Sequence, residues 1–375
     1  MSPALPVFSD TDRHHMRIAL ALAREGRFTT SPNPRVGCVI ARGGQIVGQG
    51  FHLRAGEPHA EVHALRQAGG LARGATAYVT LEPCAHHGRT PPCAQALIAA
   101  GVSRVVAAVS DPNPQVAGKG LVMLAAAGIA AECGLFEAEA RELNRGFLSR
   151  IERGRPFVRL KCAASLDGKT ALSDGLRQWI TGEAARHDVQ ILRAESCAVL
   201  TGIGTVLADD PQLNVRAFST LRQPLRIVLD SRLRLPPTAK LLADTASPVL
   251  LLTAVPPEKY PAALTAVPHL DILTVPAANG RISLPAALTL LAERGIGELL
   301  VEAGATLCGA FLQSGLADEI VLYQAGKILG GNARSLFDLP ENPAALQQPA
   351  SWQTRSVTIL DGGDLKQVLR KKEAV

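Results

Sequence analysis

The fold of this chain is indicated by the stretch Pro58-His59-Ala60-Glu61, together with Pro83-Cys84 and Cys93 later in the sequence. His59, Cys84 and Cys93 offer three side chains that zinc prefers, and Glu61 places a carboxylate two residues past the histidine. A catalytic zinc ion takes three protein ligands and keeps its fourth position for water, whose pKa it lowers toward neutrality. The pattern therefore predicts a zinc site in which Glu61 is free to move protons.

The same set of groups is used by zinc nucleobase deaminases, where a non-ligating glutamate carries protons to the leaving amine. In that class the cysteines are spaced Cys-x-x-Cys, whereas residues 85–92 separate Cys84 from Cys93 here. Two other interpretations stay open: His59 and His63 as a helical zinc pair, and the two cysteines as buried structural thiols. The metalloprotease pattern needs Glu directly after the first His, and position 60 is Ala.

Composition indicates a globular protein of two domains. The chain has 375 residues, of which 47% are hydrophobic and 19% charged, and this length exceeds what one core usually supports. Seven cysteines, an odd number spread along the chain, indicate reduced thiols and metal ligands. Residues 1–10 lack the pattern of a secretory signal, and no apolar run is long enough to span a bilayer. We expect a cytoplasmic protein that engages no membrane.

The charge pattern bears on the kind of ligand. The net charge is +6, but basic residues are scattered, and aromatic residues make up only 4% of the chain. Scattered charge favours small anionic ligands over a nucleic-acid track, and scarce aromatics argue against a stacking platform for single strands. We therefore expect a small-molecule substrate and no nucleic-acid partner.

The first half alternates predicted strands with predicted helices. Strands are expected at residues 36–40, 45–50, 76–81 and 102–109, and helices at 12–24, 61–67, 92–100 and 120–127. This alternation predicts a three-layer α/β sheet that binds its ligand at the carboxyl ends of the strands. Cys84 would follow a strand, and His59 and Cys93 would each open a helix.

A charged segment punctuated by Gly and Pro, residues 150–156, predicts a linker between two domains, residues 1–149 and 150–375. In the second domain, strands are expected at 157–163, 197–200, 225–230, 249–254, 271–275 and 298–302, and helices at 182–194, 285–293 and 305–313. The last two predicted strands, 319–323 and 356–361, would form a hairpin-like pair.

Two turns of the second domain suit phosphate groups. Residues 201–211 follow a predicted strand, but Leu207 stands where a dinucleotide fingerprint would have its third glycine. Gly304 connects another strand to a helix, whose first N–H groups are free to bind phosphate. Arg193 and Arg216 could hold a substrate phosphate because a guanidinium matches it bidentately.

The chain resembles the family of bifunctional riboflavin-biosynthesis deaminase/reductases over roughly residues 12–335. The wider spacing of Cys84 and Cys93 fits this family. The matching stretches are long, and they are residues 58–65, 78–84, 88–93, 111–114, 118–120, 165–169, 178–181, 192–194, 205–211 and 301–304, together with Lys161.

The resemblance implies a cytidine-deaminase-like three-layer α/β/α domain followed by a dihydrofolate-reductase-like α/β domain. The family removes the 2-amino group of a diaminopyrimidinone ribose phosphate with zinc, and then reduces the ribose to ribityl with NADPH. We also expect a homo-oligomer, either a dimer or a tetramer.

The resemblance also implies roles for individual residues. The zinc ligands would be His59, Cys84 and Cys93, with Glu61 as the proton carrier. The pocket for the pyrimidine and its phosphate would contain Asn33, His52, Arg89 and Asn113. The NADPH site would contain Ala163, Trp179, Thr205, Asp209, Ser231, Gly304, Ala305, Thr306, Leu307, Cys308, Gly309 and Ala310. The substrate of the reduction would meet Arg177, Arg193, Leu213, Arg216 and Glu302. On chemical grounds, Lys161, Asp209 and Glu302 are candidates to contact the substrate at its reacting carbon and to polarise or protonate it; the alternative is a buried ion pair that steadies the strands.

Two hypotheses compete with this one. The first is a deaminase that acts on RNA, with the second half as a nucleic-acid module, against which scattered charge and few aromatics count. The second is a zinc-binding scaffold without activity, although a structural site would not require Glu61.

Overall fold

The computed structural model describes residues 7–85, 92–113, 117–174, 179–346 and 350–372. The chain divides into two units, residues 1–154 and 155–375. Helix Arg145–Arg153 covers most of the segment expected to be a linker, and it ends at Gly154, whose φ is +63°. The helix begins before the expected linker, and its buried residues, Gly146, Leu148 and Ser149, all precede that segment.

The described part of the first unit contains five strands and six α-helices. In chain order they are α1 (Asp10–Glu25), β1 (Gly37–Arg42), β2 (Gln45–Phe51), α2 (Ala60–Ala68), β3 (Thr76–Val79), α3 (Cys93–Ala100), β4 (Arg104–Ala107), α4 (Lys119–Ala126), β5 (Ala130–Cys133), α5 (Glu137–Leu143) and α6 (Arg145–Arg153).

The five strands form one sheet in the order β2-β1-β3-β4-β5. β1 is antiparallel to both of its neighbours, and β3, β4 and β5 run parallel. Alternate residues of each strand face opposite sides. Cys38 and Ile40 belong to a core with residues of α2, α3 and α4, while Val39 belongs to a core with α1. The predicted three-layer arrangement is therefore confirmed.

Helix α2 lies unusually close to β2. A Cβ atom added at Gly48 would stand 2.1 Å from the carbonyl oxygen of Ala64, and one at Gly50 would stand 2.5 Å from the Cβ of His63. Only glycine leaves room for the helix backbone at these two positions. The two glycines therefore set the distance between α2 and the sheet.

In the second unit the described residues form six α-helices and thirteen strands. The helices are α7 (Glu183–Glu195), α8 (Ile203–Asp209), α9 (Lys240–Ala243), α10 (Ala262–Thr265), α11 (Leu284–Glu293) and α12 (Ala305–Gln313). The strands are β6 (Phe157–Ser165), β7 (Lys169–Ala171), β8 (Ala198–Gly202), β9 (Leu225–Leu229), β10 (Val249–Thr253), β11 (Leu270–Thr274), β12 (Ala277–Ala278), β13 (Arg281–Ile282), β14 (Glu298–Val301), β15 (Glu319–Ala325), β16 (Arg334–Ser335), β17 (Trp352–Ile359) and β18 (Leu365–Lys371).

Nine of these strands form the main sheet, in the order β11-β10-β9-β8-β14-β6-β15-β18-β17. The first seven strands in this order, from β11 to β15, run parallel to one another. β18 pairs antiparallel with β15, and β17 at the edge pairs antiparallel with β18. The predicted pairing of the last two strands was wrong, because β18 lies between β15 and β17. β18 is rich in Lys, Arg and Gln, a composition that does not suggest a strand.

Helices cover both faces of this sheet. Leu288 of α11 and Phe311 of α12 pack on one face, and Val189 and Leu192 of α7 pack on the other. Within the described ranges, no helix has both the length and the apolar character needed to cross a membrane.

Candidate active sites

Three side chains of the first unit meet at one point. His59 precedes α2, Cys84 follows β3, and Cys93 is the first residue of α3. The His59 Nδ1 atom lies 3.2 Å from the Cys93 Sγ and 3.7 Å from the Cys84 Sγ, and all three donor atoms lie within 4.8 Å of one another. A tetrahedral zinc ion separates its sulfur and nitrogen ligands by roughly 3.5 Å. The three residues therefore fit one zinc ion.

The Cys84 sulfur is set up to be a thiolate. Hydrogen bonds from the Cys93 thiol, the His59 ring and the Cys93 backbone lower the pKa of Cys84 to about 4. The backbone bond is 3.3 Å long and comes from the first residue of α3, where the helix dipole favours negative charge. Because thiolates are the form that binds metal, this environment prepares Cys84 for zinc.

Glu61 lies in the first turn of α2 and is 3% exposed. Burial raises the pKa of its carboxyl to about 7. Its Oε2 atom is buried and has no hydrogen-bond partner among the described residues. A buried carboxyl that changes protonation near neutral pH suits a proton carrier. His63, four residues after His59, is not part of the donor group.

Asn33 and His52 form a connected pair beside the metal ligands. His52 Nδ1 lies 3.2 Å from the Pro58 carbonyl oxygen, and its Nε2 lies 3.0 Å from the Asn33 amide nitrogen. A carbonyl only accepts, so Nδ1 carries the proton and Nε2 accepts from the amide. This assignment agrees with burial, which lowers the pKa of His52. Among the described residues, the amide oxygen of Asn33 has no hydrogen-bond partner and is available to a ligand.

Of the other two residues predicted in the pyrimidine pocket, Asn113 lies within the described part of the chain. Asn113 is half-buried in the loop after β4, and its carbonyl accepts a 2.7 Å bond from the Ala117 N–H. Arg89 lies outside the described residues, as does Arg177 of the second unit.

In the second unit, Arg193 and Glu302 form a two-pronged ion pair. Arg193 Nε lies 2.6 Å from Glu302 Oε1, and Arg193 Nη2 lies 2.9 Å from Oε2. Burial opposes ionisation of Glu302, but Arg193, with smaller effects from Lys161 and Arg216, lowers its pKa. The structure therefore brings together four residues predicted at the substrate, namely Lys161, Arg193, Arg216 and Glu302. The side chain of Leu213, a fifth, packs in the core.

The residues predicted at the cofactor lie on several elements. Ala163 lies on β6, Thr205 and Asp209 lie on α8, and Ser231 follows β9. Trp179 is 60% exposed and lies 5.1 Å from the guanidinium of Arg186. A Cβ at Gly202, before α8, would lie 3.3 Å from the Leu307 side chain, so the starts of α8 and α12 are neighbours.

Two members of the predicted segment 304–310 pack against the rest of the protein. Cys308 is 1% exposed and belongs to the core. A Cβ at Gly309 would stand 2.3 Å from the Asp338 carbonyl oxygen, so this face of α12 packs on the backbone. The residues of the first turn, Gly304 to Leu307, are exposed or half-buried, and so is Ala310.

A cavity of the second unit is lined by arginines, of which Arg234 and Arg281 were not predicted from the sequence. It has a volume of about 200 Å³ and is bordered by Ile203, Leu229, Ser231, Arg232, Arg234, Gly280 and Arg281. Buried Asp230 accepts backbone bonds from Arg232, Arg234 and Leu235 and so shapes one wall. In the described part of the chain, no carboxylate lies within ion-pair distance of the three guanidinium groups. The sequence offered a signal in Arg281, directly after the turn Asn279-Gly280.

Comparison with known families matches both units. The cytidine and deoxycytidylate deaminase zinc-binding region matches residues 9–109, and the RibD C-terminal domain matches residues 156–360. The chain is thus a bifunctional enzyme that joins a zinc-dependent deaminase to a reductase.

Curated relatives and solved structures narrow this class. The riboflavin biosynthesis protein RibD of Escherichia coli is 52% identical over 341 residues, which cover 88% of this chain and 91% of the relative. RibD of Haemophilus influenzae is 49% identical over 372 residues, with coverage of 96% and 97%. The structure of Acinetobacter baumannii RibD superposes with a TM-score of 0.90 at 47% identity, covering 97% of this chain and 99% of that one.

This chain belongs to the RibD family of riboflavin-biosynthesis proteins. The resemblance found in the sequence is confirmed, and so are the deaminase-plus-reductase fold and the two cofactors, zinc and NADPH. A Thermotoga maritima relative of 34% identity and TM-score 0.85, with coverage of 96% and 99%, is described as a diaminohydroxyphosphoribosylaminopyrimidine deaminase/5-amino-6-(5-phosphoribosylamino)uracil reductase.

Proposed function

We propose that this chain deaminates 2,5-diamino-6-ribosylamino-4(3H)-pyrimidinone 5′-phosphate and then reduces the ribosyl group of the product to a ribityl group with NADPH. The observation that carries the proposal is the buried Glu61 carboxyl beside the three donor atoms of His59, Cys84 and Cys93. A structural zinc site has no use for a buried carboxyl whose Oε2 atom is left without a hydrogen-bond partner among the described residues.

In the deamination, each residue of the first unit has a separate task. His59, Cys84 and Cys93 would hold a zinc ion, which would lower the pKa of a water molecule and so provide the nucleophile. Glu61 takes up a proton at Oε2 and delivers it to the departing 2-amino nitrogen, which leaves as ammonia. Asn33, held through His52, presents its amide oxygen to the edge of the pyrimidine. Arg89 and Asn113 complete the pocket for the base and its phosphate.

In the reduction, the residues of the second unit would hold NADPH, which would provide the hydride for C1 of the ribose in its open form. Ala163, Trp179, Thr205, Asp209, Ser231 and the segment Gly304 to Ala310, through its first turn, hold the cofactor. Arg177, Arg193, Arg216 and Glu302, with the backbone at Leu213, hold the substrate. Glu302 is a poor proton donor because Arg193 stabilises its carboxylate form, which leaves Lys161 or Asp209 to protonate the product oxygen.

The cavity of Arg232, Arg234 and Arg281 supports a place for the 2′-phosphate of NADPH. Within the described residues these three guanidinium groups have no carboxylate partner, and together they match a phosphate dianion. Ser231, predicted at the cofactor, lines the same cavity. The geometry thus supports NADPH over NADH on charge alone.

The proposal also places the protein in the cytoplasm, as a homo-oligomer that is either a dimer or a tetramer. It assigns deamination to residues 1–149 and reduction to residues 150–375. Light scattering on the purified protein distinguishes a monomer, a dimer and a tetramer.

The test of the function uses the purified protein, zinc and the diaminopyrimidinone ribose phosphate. We expect release of ammonia, and then loss of the nicotinamide absorbance once NADPH is added. Wild-type protein that releases no ammonia from this substrate contradicts the deaminase proposal. Ammonia release without oxidation of NADPH contradicts the proposal for the second unit.

A further inference from the structure

Glu82 is a buried carboxylate that the proposed mechanism does not use. It lies between β3 and the metal ligand Cys84, and it is 3% exposed. Its own N–H donates a 2.9 Å hydrogen bond to the Val109 carbonyl oxygen, just beyond the end of β4. Its backbone is therefore fixed to the sheet two residues before the metal ligand.

The carboxylate accepts four hydrogen bonds from backbone N–H groups that come 29 to 39 residues later in the chain. Oε2 accepts from Asp111 at 3.1 Å and from Gly118 at 3.0 Å. Oε1 accepts from Gly120 at 2.9 Å and from Leu121 at 3.3 Å. One side chain thus joins the loop after β4 to the first turn of α4.

In the described ranges, the partners of this negative charge are backbone N–H groups. Among the described residues, no lysine, arginine or histidine lies within ion-pair distance of the Glu82 carboxylate. Gly120 and Leu121 lie in the first turn of α4, where unpaired N–H groups and the helix dipole stabilise an anion. A carboxylate bound in this way keeps its partners in one geometry, because each of them would otherwise be buried without an acceptor.

The same segment touches the metal loop a second time. A Cβ atom at Gly120 would stand 2.0 Å from the Pro83 carbonyl oxygen, so the start of α4 packs directly on the peptide before Cys84. Asn113 lies within the segment that Glu82 holds: its N–H bonds the Asp111 side chain at 2.9 Å. Glu82 therefore stands between a metal ligand and a residue proposed to contact the pyrimidine.

We propose that Glu82 is a positioning residue of the deamination site, which fixes Asn113 relative to the zinc ligand Cys84. This inference rests on the proposed function, since it takes Asn113 to be a substrate contact. Glu82 makes no contact with the substrate itself. It acts on substrate binding by holding the loop, and it leaves the metal and the proton carrier unchanged.

The first test compares Glu82→Gln with wild type in zinc content, in KM and kcat for ammonia release, and in NADPH oxidation with the deaminated intermediate. Gln keeps the shape but turns an NH₂ group toward two N–H donors. We expect KM for the diaminopyrimidinone ribose phosphate to rise about tenfold or more, as the loss of two bonds to a charged group predicts. Zinc content, kcat and the reductase activity stay near wild type. Glu142→Gln, an exposed glutamate of the same unit, is the matched control.

The second test asks whether Glu82 acts through Asn113. We expect Asn113→Ala alone to raise KM. In the double variant, Glu82→Gln should raise KM further by a much smaller factor than it does in the wild-type protein. Glu82→Asp keeps the charge but is one methylene shorter, so we expect a smaller increase in KM. This variant replaces Glu82→Gln in the test if the Gln variant does not fold.

Three results would overturn the inference. They are an unchanged KM in both Glu82 variants, a loss of zinc or of kcat with KM unchanged, and fully additive effects of Glu82 and Asn113. Failure of the proposed function looks different, because then the wild-type protein itself releases no ammonia.

Discussion

Arg193 binds Glu302 through two nearly parallel hydrogen bonds, and its remaining Nη1 donates a 3.0 Å bond to the Asn214 carbonyl oxygen. One guanidinium therefore ties α7 to the end of β14 and to the loop that carries Leu213 and Arg216. Arg193 is only 8% exposed, so the pair is protected from water. The orientation of the Glu302 carboxylate is set by this contact.

Removal of Arg193 is expected to cost stability as well as reduction. Arg193→Ala leaves a buried carboxylate without its partner, a change that costs about 3–5 kcal/mol. Urea unfolding measures the stability, and NADPH oxidation measures the function, which we expect to be lost. Arg294→Ala breaks the exposed pair with Asp271 and should change stability by less than about 1 kcal/mol. Equal effects of the two variants would refute the role given to Arg193.

Replacement of Glu61 by glutamine should separate the two activities. Gln cannot carry the proton, so we expect kcat for ammonia release to fall by about 10²–10⁴-fold. Zinc content and NADPH oxidation with the deaminated intermediate should be unchanged, because neither depends on this carboxyl. A variant that loses both activities together, with normal zinc content, would show that Glu61 has a structural role.

Removal of zinc should affect deamination alone. Dialysis against a chelator is expected to abolish ammonia release, while NADPH oxidation persists, since His59, Cys84 and Cys93 all belong to the first unit. Addition of zinc should restore deamination. Measurement of both rates before and after the treatment checks this, and loss of the reductase activity on chelation would contradict it.

Loss of an arginine from the cavity beside Ser231 should weaken the preference for NADPH. Arg234→Ala or Arg281→Ala removes a partner of the 2′-phosphate, so we expect KM for NADPH to rise about tenfold. KM for NADH should stay the same, because NADH has no such phosphate. Arg355→Ala, an exposed arginine on β17, is the control. Equal increases in KM for both cofactors would place the 2′-phosphate elsewhere.

The first unit should lose an identifiable part of its stability in acid. Burial opposes ionisation of Asp12, but hydrogen bonds from Arg104, Ser9 and Tyr78 outweigh it and hold the pKa well below its usual value. The stabilisation is complete above about pH 4 and is lost as the pH falls through the lower pKa of the folded state.

Comparison of variants isolates this effect. Asp12→Asn should destabilise the first unit by about 2 kcal/mol at pH 7, and its difference from wild type should shrink below about pH 4. Asp10→Asn, exposed in the same helix turn, should have little effect at either pH. Thermal unfolding at a series of pH values provides the measurement, and a difference that does not vary with pH would contradict the assignment.

The sequence was sufficient to predict the secondary structure and the metal ligands where a local pattern of residues determined them. The ligands of the metal site sit at the ends of strands and helices that their own periodicity predicts, and most elements were placed within a few residues. Long-range pairings were not predictable in this way. β18 joins β15 to β17 through backbone bonds, and its charged side chains gave no sign of this. Glu82 looked like an ordinary acidic residue because its four partners come from a distant segment.

Gly48 and Gly50 have no side chain to offer the substrate or the metal, yet they allow α2 to approach β2 and so set where Glu61 stands. A survey of substitutions that considers only contacts with the reactants would treat both positions as neutral. In a library of random variants, however, they should be among the least tolerant sites of the first unit. The range of sequences compatible with deamination is thus also limited by two glycines, which matter because they have no Cβ atom.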